Sequence, residues 1–193
     1  MGRIVVTEFM SLDGVMEDPG GAESYKHGGW SFRFERDDRG NKFKLDELLA
    51  AEVMLLGRTT YLGFAKAWPT IEDPVGFAAK MNTMPKYVVS STLGDDEATW
   101  ANSTVLRGDV VAEVTALKER IGGDILVAGS AQLVHMLTEH GLVDEYRLMV
   151  YPIVLGSGKR VFDDLSDATV LNLDEVLNLN EGVQALTYHP KGI

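Results

Sequence analysis

An apolar strand that runs into glycine, a cation and two hydroxyls is the feature that most narrows what this chain can fold into. It reads Val53-Met54-Leu55-Leu56, then Gly57-Arg58-Thr59-Thr60 and Tyr61. A short unbroken apolar run is the pattern of a strand buried on both faces, and the residues after it open a helix. Glycine lets a ligand approach the backbone. The first amides of a helix have no partner within it and sit at its positive end, so they attract anionic oxygens. An arginine beside them can hold a phosphate through two parallel hydrogen bonds. The same transition recurs where Ile125-Leu126-Val127-Ala128 turns into Gly129-Ser130-Ala131-Gln132. Two such corners imply a ligand with a diphosphate, such as a nucleotide cofactor. The competing reading is steric, because glycine at a strand-to-helix junction also serves packing alone.

Size and charge limit the alternatives. The 193 residues fit one domain spanning 1–193, and no apolar run approaches the roughly 20 residues that span a bilayer. The N-terminus enters a strand without a leader-like segment, which places the protein in the cytoplasm. There is no cysteine, so disulfides, thiol catalysis and thiolate-held metals are excluded. A net charge of −11 argues against nucleic acid or an acidic membrane as partner. A small-molecule substrate is the expected partner, and an anionic cofactor then needs local cations such as Arg58. Lys86 and Arg107 are second candidates, because lone cations among 29 acids are more often solvated or weakly paired.

Strand-like runs at Ile4–Phe9, Val53–Leu56, Tyr87–Val89, Thr104–Leu106 and Ile125–Ala128 alternate with helically spaced segments. This order predicts an α/β fold with a mostly parallel sheet flanked by helices. The helical stripes are Leu45, Leu48 and Leu49, then Val111, Val114, Leu117 and Ile121, then Leu133, Val134 and Leu137. After Gly141 the pattern changes. Tyr146–Leu155, Thr169–Leu173 and Gly182–His189 read as antiparallel strands finishing one edge, with Gly156-Ser157-Gly158 as a hairpin turn. The segment Glu17–Asn41 has no clean period and holds Trp30, Phe32 and Phe34, which fits a long functional loop covering a pocket or a subunit contact.

Other candidate sites resolve to simpler roles. His135 and His140 lie five residues apart and face different sides of a helix, so no metal site is expected. Ser130 lacks the trailing glycine of a nucleophile elbow, which argues against a serine hydrolase. Asp144-Glu145 reads as the polar start of a strand, solvated or paired with a cation.

Five motifs in order carry a resemblance over nearly the whole chain. They are Met10-Ser11-Leu12-Asp13-Gly14, Gly57-Arg58-Thr59-Thr60-Tyr61, Lys86-Tyr87-Val88-Val89-Ser90-Ser91, Val127-Ala128-Gly129-Ser130, and Val143-Asp144-Glu145-Tyr146-Arg147-Leu148 with Tyr151-Pro152-Ile153-Val154-Leu155-Gly156-Ser157-Gly158. Together they resemble the dihydrofolate reductase-like superfamily, in the branch of the C-terminal reductase domain of bifunctional riboflavin biosynthesis proteins. The resemblance implies an NADPH-dependent reductase with its cofactor across the carboxyl ends of the central strands. It assigns Gly57, Arg58, Thr59 and Thr60 to the first phosphate corner, with Arg58 near the adenosine 2′-phosphate. Ser90 and Ser91 would bond that same phosphate. Gly129, Ser130, Ala131 and Gln132 would lie under the pyrophosphate, with Ser130 where folate reducers carry a second glycine. Asp13 is the catalytic candidate, since its position faces nicotinamide and substrate in the riboflavin-type relatives. Folate reducers use a carboxylate early on the first helix, and here no motif singles out one of Glu35, Asp37, Asp38, Asp46 and Glu47.

The reaction implied is hydride transfer to a small heterocyclic or carbonyl substrate, with 5-amino-6-(5-phosphoribosylamino)uracil as the nearest precedent. Dihydrofolate reduction and a non-catalytic dinucleotide-binding regulatory module are the alternatives. Relatives of this branch pair through sheet edges or C-terminal strands, so a homodimer is expected, with Leu148-Met149-Val150-Tyr151 as its interface.

Overall fold

The computed structural model describes residues 1–35 and 37–192. Arg36, within the expected loop, and Ile193, at the end of the expected domain, lie outside the described residues. The strands are β1 (Arg3–Ser11), β2 (Ala51–Gly57), β3 (Lys86–Val89), β4 (Ser103–Leu106), β5 (Asp124–Ala128), β6 (Glu145–Tyr151), β7 (Leu171–Asn178) and β8 (Gln184–Pro190). The helices are α1 (Asp38–Ala50), α2 (Arg58–Ala67), α3 (Phe77–Thr83), α4 (Val110–Arg120) and α5 (Ala131–Glu139). All eight strands form one sheet in the order β4-β3-β2-β5-β1-β6-β8-β7. The first six run parallel. β8 lies antiparallel to β6, and β7 antiparallel to β8. This is the dihydrofolate reductase-like arrangement.

The unbroken apolar runs follow from burial on both faces of the sheet. Ile4 and Val6 of β1, Val53 and Leu55 of β2, and Ile125 and Val127 of β5 enter one core, with Val114 and Leu117 of α4 and Leu133, Val134 and Leu137 of α5. Their alternates Val5, Met54, Leu56 and Leu126 enter the opposite core, with Leu48, Tyr61 and Met81. Each such side chain contributes about 1.5–3 kcal/mol when fully buried, enough for burial to outweigh local propensity in setting these strands.

Several elements differ from the sequence expectation. Tyr146–Leu155, expected antiparallel, runs parallel to β1 and is antiparallel only to β8, and it ends as a strand at Tyr151, because Pro152 has no amide to give the ladder. The third C-terminal strand starts at Gln184, after a short 3₁₀ turn at Asn180–Gly182. β7 runs to Asn178 rather than stopping at Leu173, and its Asp174 and Glu175 fit because it is the outermost strand and carries an irregular register there. Gly156-Ser157-Gly158 does not form a hairpin turn. It packs beside the end of β1, where Val15 bridges Arg160, and a Cβ on Gly158 would meet Val15 Cγ1 at 2.7 Å. The expected stripe on α1 also shifts. Leu48 is buried but Leu49 is exposed, and Glu47 takes a buried place beside Leu48.

Among the described residues between β1 and α1 the only helical turn is a 3₁₀ turn at Trp30–Arg33, and Asp37 caps α1 by accepting from the Gly40 amide at 2.8 Å. Helix therefore begins before the expected loop end at Asn41. Trp30 is fully buried, donating its indole N–H to the Glu17 carbonyl and packing edge-on against Tyr151. Asp144 and Glu145 are structural. Asp144 Oδ2 accepts from the Ile4 amide and the Lys118 ammonium, both at 2.6 Å, and Glu145 pairs with Arg3 and Arg147.

Lys86 is not a cofactor cation. It starts β3 in the interior, fully buried, and donates to the carbonyls of Asn82, Met84 and Ala101, with its ammonium 4.3 Å from the Trp100 ring centroid. Burial lowers its pKa to about 8.

The Leu148–Tyr151 run is not available as a subunit interface. Leu148, Met149 and Tyr151 are buried within the chain, and β6 is covered on one side by β1 and on the other by β8. Among the described residues no helix is long and apolar enough to cross a membrane.

Candidate functional site

A cleft of about 1070 Å³ runs along the carboxyl ends of β1, β2, β3 and β5, where open α/β sheets bind ligands. Gly57, Arg58, Thr59, Thr60, Ser90, Ser91, Gly129, Ser130, Ala131 and Gln132 all line it. The two glycine corners, far apart in sequence, meet here because β2 and β5 are adjacent and parallel.

They are tied to each other. The Gly57 amide donates to Ser130 Oγ at 2.8 Å, and the Ser130 amide donates to Thr60 Oγ1 at 2.9 Å. Ser130 adopts a left-handed conformation at φ 63° immediately before α5, and Gly129 has φ 58°. A Cβ on Gly129 would lie 2.8 Å from Thr60 Oγ1, so only glycine fits where the corners touch. No side chain caps α2 or α5 at its N-terminus. Both helices therefore present open amides and positive dipole ends to the cleft.

At one end of the cleft the cations gather. Arg58 donates to Thr92 Oγ1 at 3.2 Å, and Arg107 donates to the Leu93 carbonyl at 2.7 Å while pairing with Asp95. Ser90 Oγ holds the turn between them by accepting from the amides of Thr92 and Leu93. Arg107, a second candidate by sequence, stands beside Arg58 because β4 pairs with β3.

The floor of the cleft was not legible in the sequence. Glu8 lies near the end of β1, in the middle of the sheet and 5% exposed. Burial pushes its carboxyl well above the ordinary glutamate range and Glu47 adds to this, while Lys44 and a hydrogen bond from the Gly129 amide pull the other way. Nearby, Lys44 pairs with Glu47, and Thr7 Oγ1 lies 2.7 Å from the Lys44 ammonium and 2.8 Å from Glu47 Oε1. The signal was a carboxylate inside an otherwise apolar central strand.

Asp13 does not line this cleft. It accepts from Ser11 Oγ at 2.7 Å and from the amides of Leu155 and Gly156 at 3.1 and 2.8 Å, clamping the turn after β1 to the segment after β6. Burial alone would raise its pKa, but these three donors outweigh it and lower the pKa to about 2. A carboxylate held this firmly in its charged form is unsuited to giving or taking a proton near neutral pH. Phe32, from the loop after β1, is exposed at the cleft. His135 bonds the Arg160 carbonyl, and among the described residues no group of three or more His, Asp or Glu is placed to hold a metal.

The sequence profile of the RibD C-terminal domain matches residues 3–185. The chain belongs to the RibD C-terminal domain family. The uncharacterized protein YyaP of Bacillus subtilis (strain 168) is 30% identical over 98% of this chain and 96% of its own length. A solved structure from Shewanella sp. PV-4, provisionally named a riboflavin biosynthesis protein, superimposes at a TM-score of 0.78 with 19% identity, covering 98% of this chain and 99% of the other. Dihydrofolate reductase from Enterococcus faecalis, solved with NADP(H), superimposes at 0.57 with 15% identity over 98% and 96% of the two chains. These likenesses show that this chain has the dihydrofolate reductase-like fold.

Two outcomes follow for this RibD C-terminal domain. Gly129→Ala forces a left-handed alanine against Thr60, and an unfolding free energy lower by about 2–4 kcal/mol in a urea titration is expected. Asp13→Ala removes a clamp whose folded pKa lies below the unfolded value of 3.8. Its contribution is complete above the ordinary aspartate range and vanishes as pH falls from about 4 to about 2, so the stability gap between wild type and variant should close over that window.

Proposed function

We propose that the chain is an NADPH-dependent reductase that transfers a hydride to a small heterocyclic or carbonyl substrate. The observation that carries this reading is the pair of uncapped helix N-termini, locked together by Ser130 and facing one cleft. Such a pair suits a pyrophosphate. Thr59 and Thr60 on one side and Ala131 and Gln132 on the other would hold it through backbone amides. The Arg58, Arg107 and Ser90–Thr92 cluster suits the 2′-phosphate that distinguishes NADPH from NADH. At about 1070 Å³ the cleft leaves room for a second small molecule. When bound, NADPH supplies the hydride. The side chains of Thr7, Glu8, Phe9 and Lys44 line the cleft beyond the phosphate corners and would orient the substrate.

Membership in the RibD C-terminal family and the likeness to a dihydrofolate reductase solved with NADP(H) support a reductase of the riboflavin-pathway type. The nearest substrate precedent is 5-amino-6-(5-phosphoribosylamino)uracil. Dihydrofolate, and binding without turnover, are the alternatives that assays of the same protein separate. The homodimer belongs to this proposal with a different contact. β7 is the outer edge of the sheet, and its exposed Leu173 and Val176, with Val170 beside them, offer an apolar edge for a second copy.

Thermal unfolding with saturating NADPH should show a midpoint rise of roughly 5 to 10 °C, since a ligand at 100 times its Kd stabilises by about 2.7 kcal/mol. NADH should give much less, and Arg58→Ala should abolish the difference between the two. An unchanged midpoint with either nucleotide refutes the cofactor. For assembly, light scattering should give a dimer mass that Leu173→Lys with Val176→Lys converts to monomer, and a monomeric wild type ends the dimer proposal.

A further inference from the structure

Glu8 Oε1 is completely buried and makes no hydrogen bond among the described residues. Leaving such an atom unpartnered costs about 1–3 kcal/mol, so it calls for an explanation. Its place supplies one: Glu8 is part of the cleft wall, next to the Gly129 corner, whose amide donates to the same carboxyl. A ligand bound in the cleft would supply that missing partner.

Charge decides which form of the carboxyl meets that ligand. The charged groups acting on Glu8 are Lys44 and Glu47, both from α1, and its register partner on β6 is the apolar Leu148. Lys44 is already engaged by Glu47 and Thr7. Two buried carboxylates sharing one ammonium leave an uncompensated negative charge, and protonating Glu8 removes it. A neutral glutamic acid is a hydrogen-bond donor.

Of the other acids around the cleft, Glu17 and Glu23 pair with the Lys159 ammonium and Glu47 with Lys44. Asp18 accepts from the Glu23 amide through Oδ1, and its Oδ2 is likewise buried without a hydrogen bond among the described residues, but it belongs to the loop after β1 and lies away from the Gly129 corner in the chain, while Asp13 is clamped outside the cleft.

We propose that Glu8 is the acid that protonates the substrate during reduction, an assignment that rests on the NADPH-reductase reading above. The hydride from NADPH forms the new C–H bond on a C=N or C=O carbon, its electron pair reducing that double bond. The Glu8 proton forms the N–H or O–H bond on the heteroatom. Glu8 is left as a carboxylate and is reprotonated from solvent, so the sum is NADPH plus substrate plus one proton giving NADP⁺ and reduced product.

The test compares wild type with Glu8→Gln, which keeps size and hydrogen bonding but has no acidic proton. In the apoprotein, a Glu8 neutral when folded and ionised when unfolded makes the wild type lose stability as pH rises from the ordinary glutamate range through the raised folded pKa. The melting midpoint of Glu8→Gln should therefore gain on wild type as pH rises above the ordinary glutamate range. With NADPH and either 5-amino-6-(5-phosphoribosylamino)uracil or dihydrofolate, kcat should fall about a hundredfold or more while KM and NADPH affinity hold within a few-fold.

A midpoint difference that does not change with pH, or a kcat within about threefold of wild type, overturns the assignment and leaves the reductase standing. A wild type that binds no NADPH, or binds it and reduces neither probe, overturns the reductase reading and this assignment with it.

Discussion

The candidate site depends on two hydrogen bonds. Gly57 N to Ser130 Oγ and Ser130 N to Thr60 Oγ1 join the ends of β2 and β5 and thereby set the spacing of the N-termini of α2 and α5. One serine acts as acceptor through its side chain and donor through its backbone, and it does so from a left-handed conformation unusual for a residue with a Cβ. That local strain is offset by the two bonds and by the cores on either side of the sheet, which hold both strands in place. The glycine before it is needed for a steric reason. The same close contact that joins the corners leaves no space for another carbon.

Above this joint the chain reconciles a strongly acidic sequence with a cleft suited to an anion. The net charge is −11, yet Arg58, Arg107 and Lys44 all line the cleft. The two arginines converge only because β3 and β4 bring the Ser90–Thr92 turn and the end of β4 together beside α2. Two acids outside the cleft do structural work. Asp13 ties the turn after β1 to the segment after β6, and Asp144 joins the starts of β1 and β6 to α4.

What sequence revealed and what it hid divide along physical lines. The first five parallel strands and both glycine corners were legible, since burial on two faces leaves an unbroken apolar run and glycine punctuates its end, but β6, read as antiparallel, runs parallel to β1. β7 was underestimated because an edge strand needs only one covered side, so Asp174 and Glu175 look like a turn until their place at the margin is known. Asp13 looked like a site residue because Ser-Leu-Asp-Gly is also a turn, and its real partners, the Leu155 and Gly156 amides, lie far along the chain. Glu8 was hidden within the first strand. Only three-dimensional packing shows that Lys44 and Glu47, from a helix whose expected apolar stripe turned out differently, set its surroundings.

Lys86 carries a consequence of its own. With its pKa lowered to about 8, a sizeable share of its amine is uncharged under mildly alkaline conditions, the form that attacks acylating reagents. Yet the group is sealed behind Trp100 and three carbonyls, out of reach of any reagent in solution. Its reaction with such a reagent is thus gated by how often the start of β3 opens, and since opening lifts the burial that lowers the pKa, the labelling rate of this one lysine reports the breathing of the sheet.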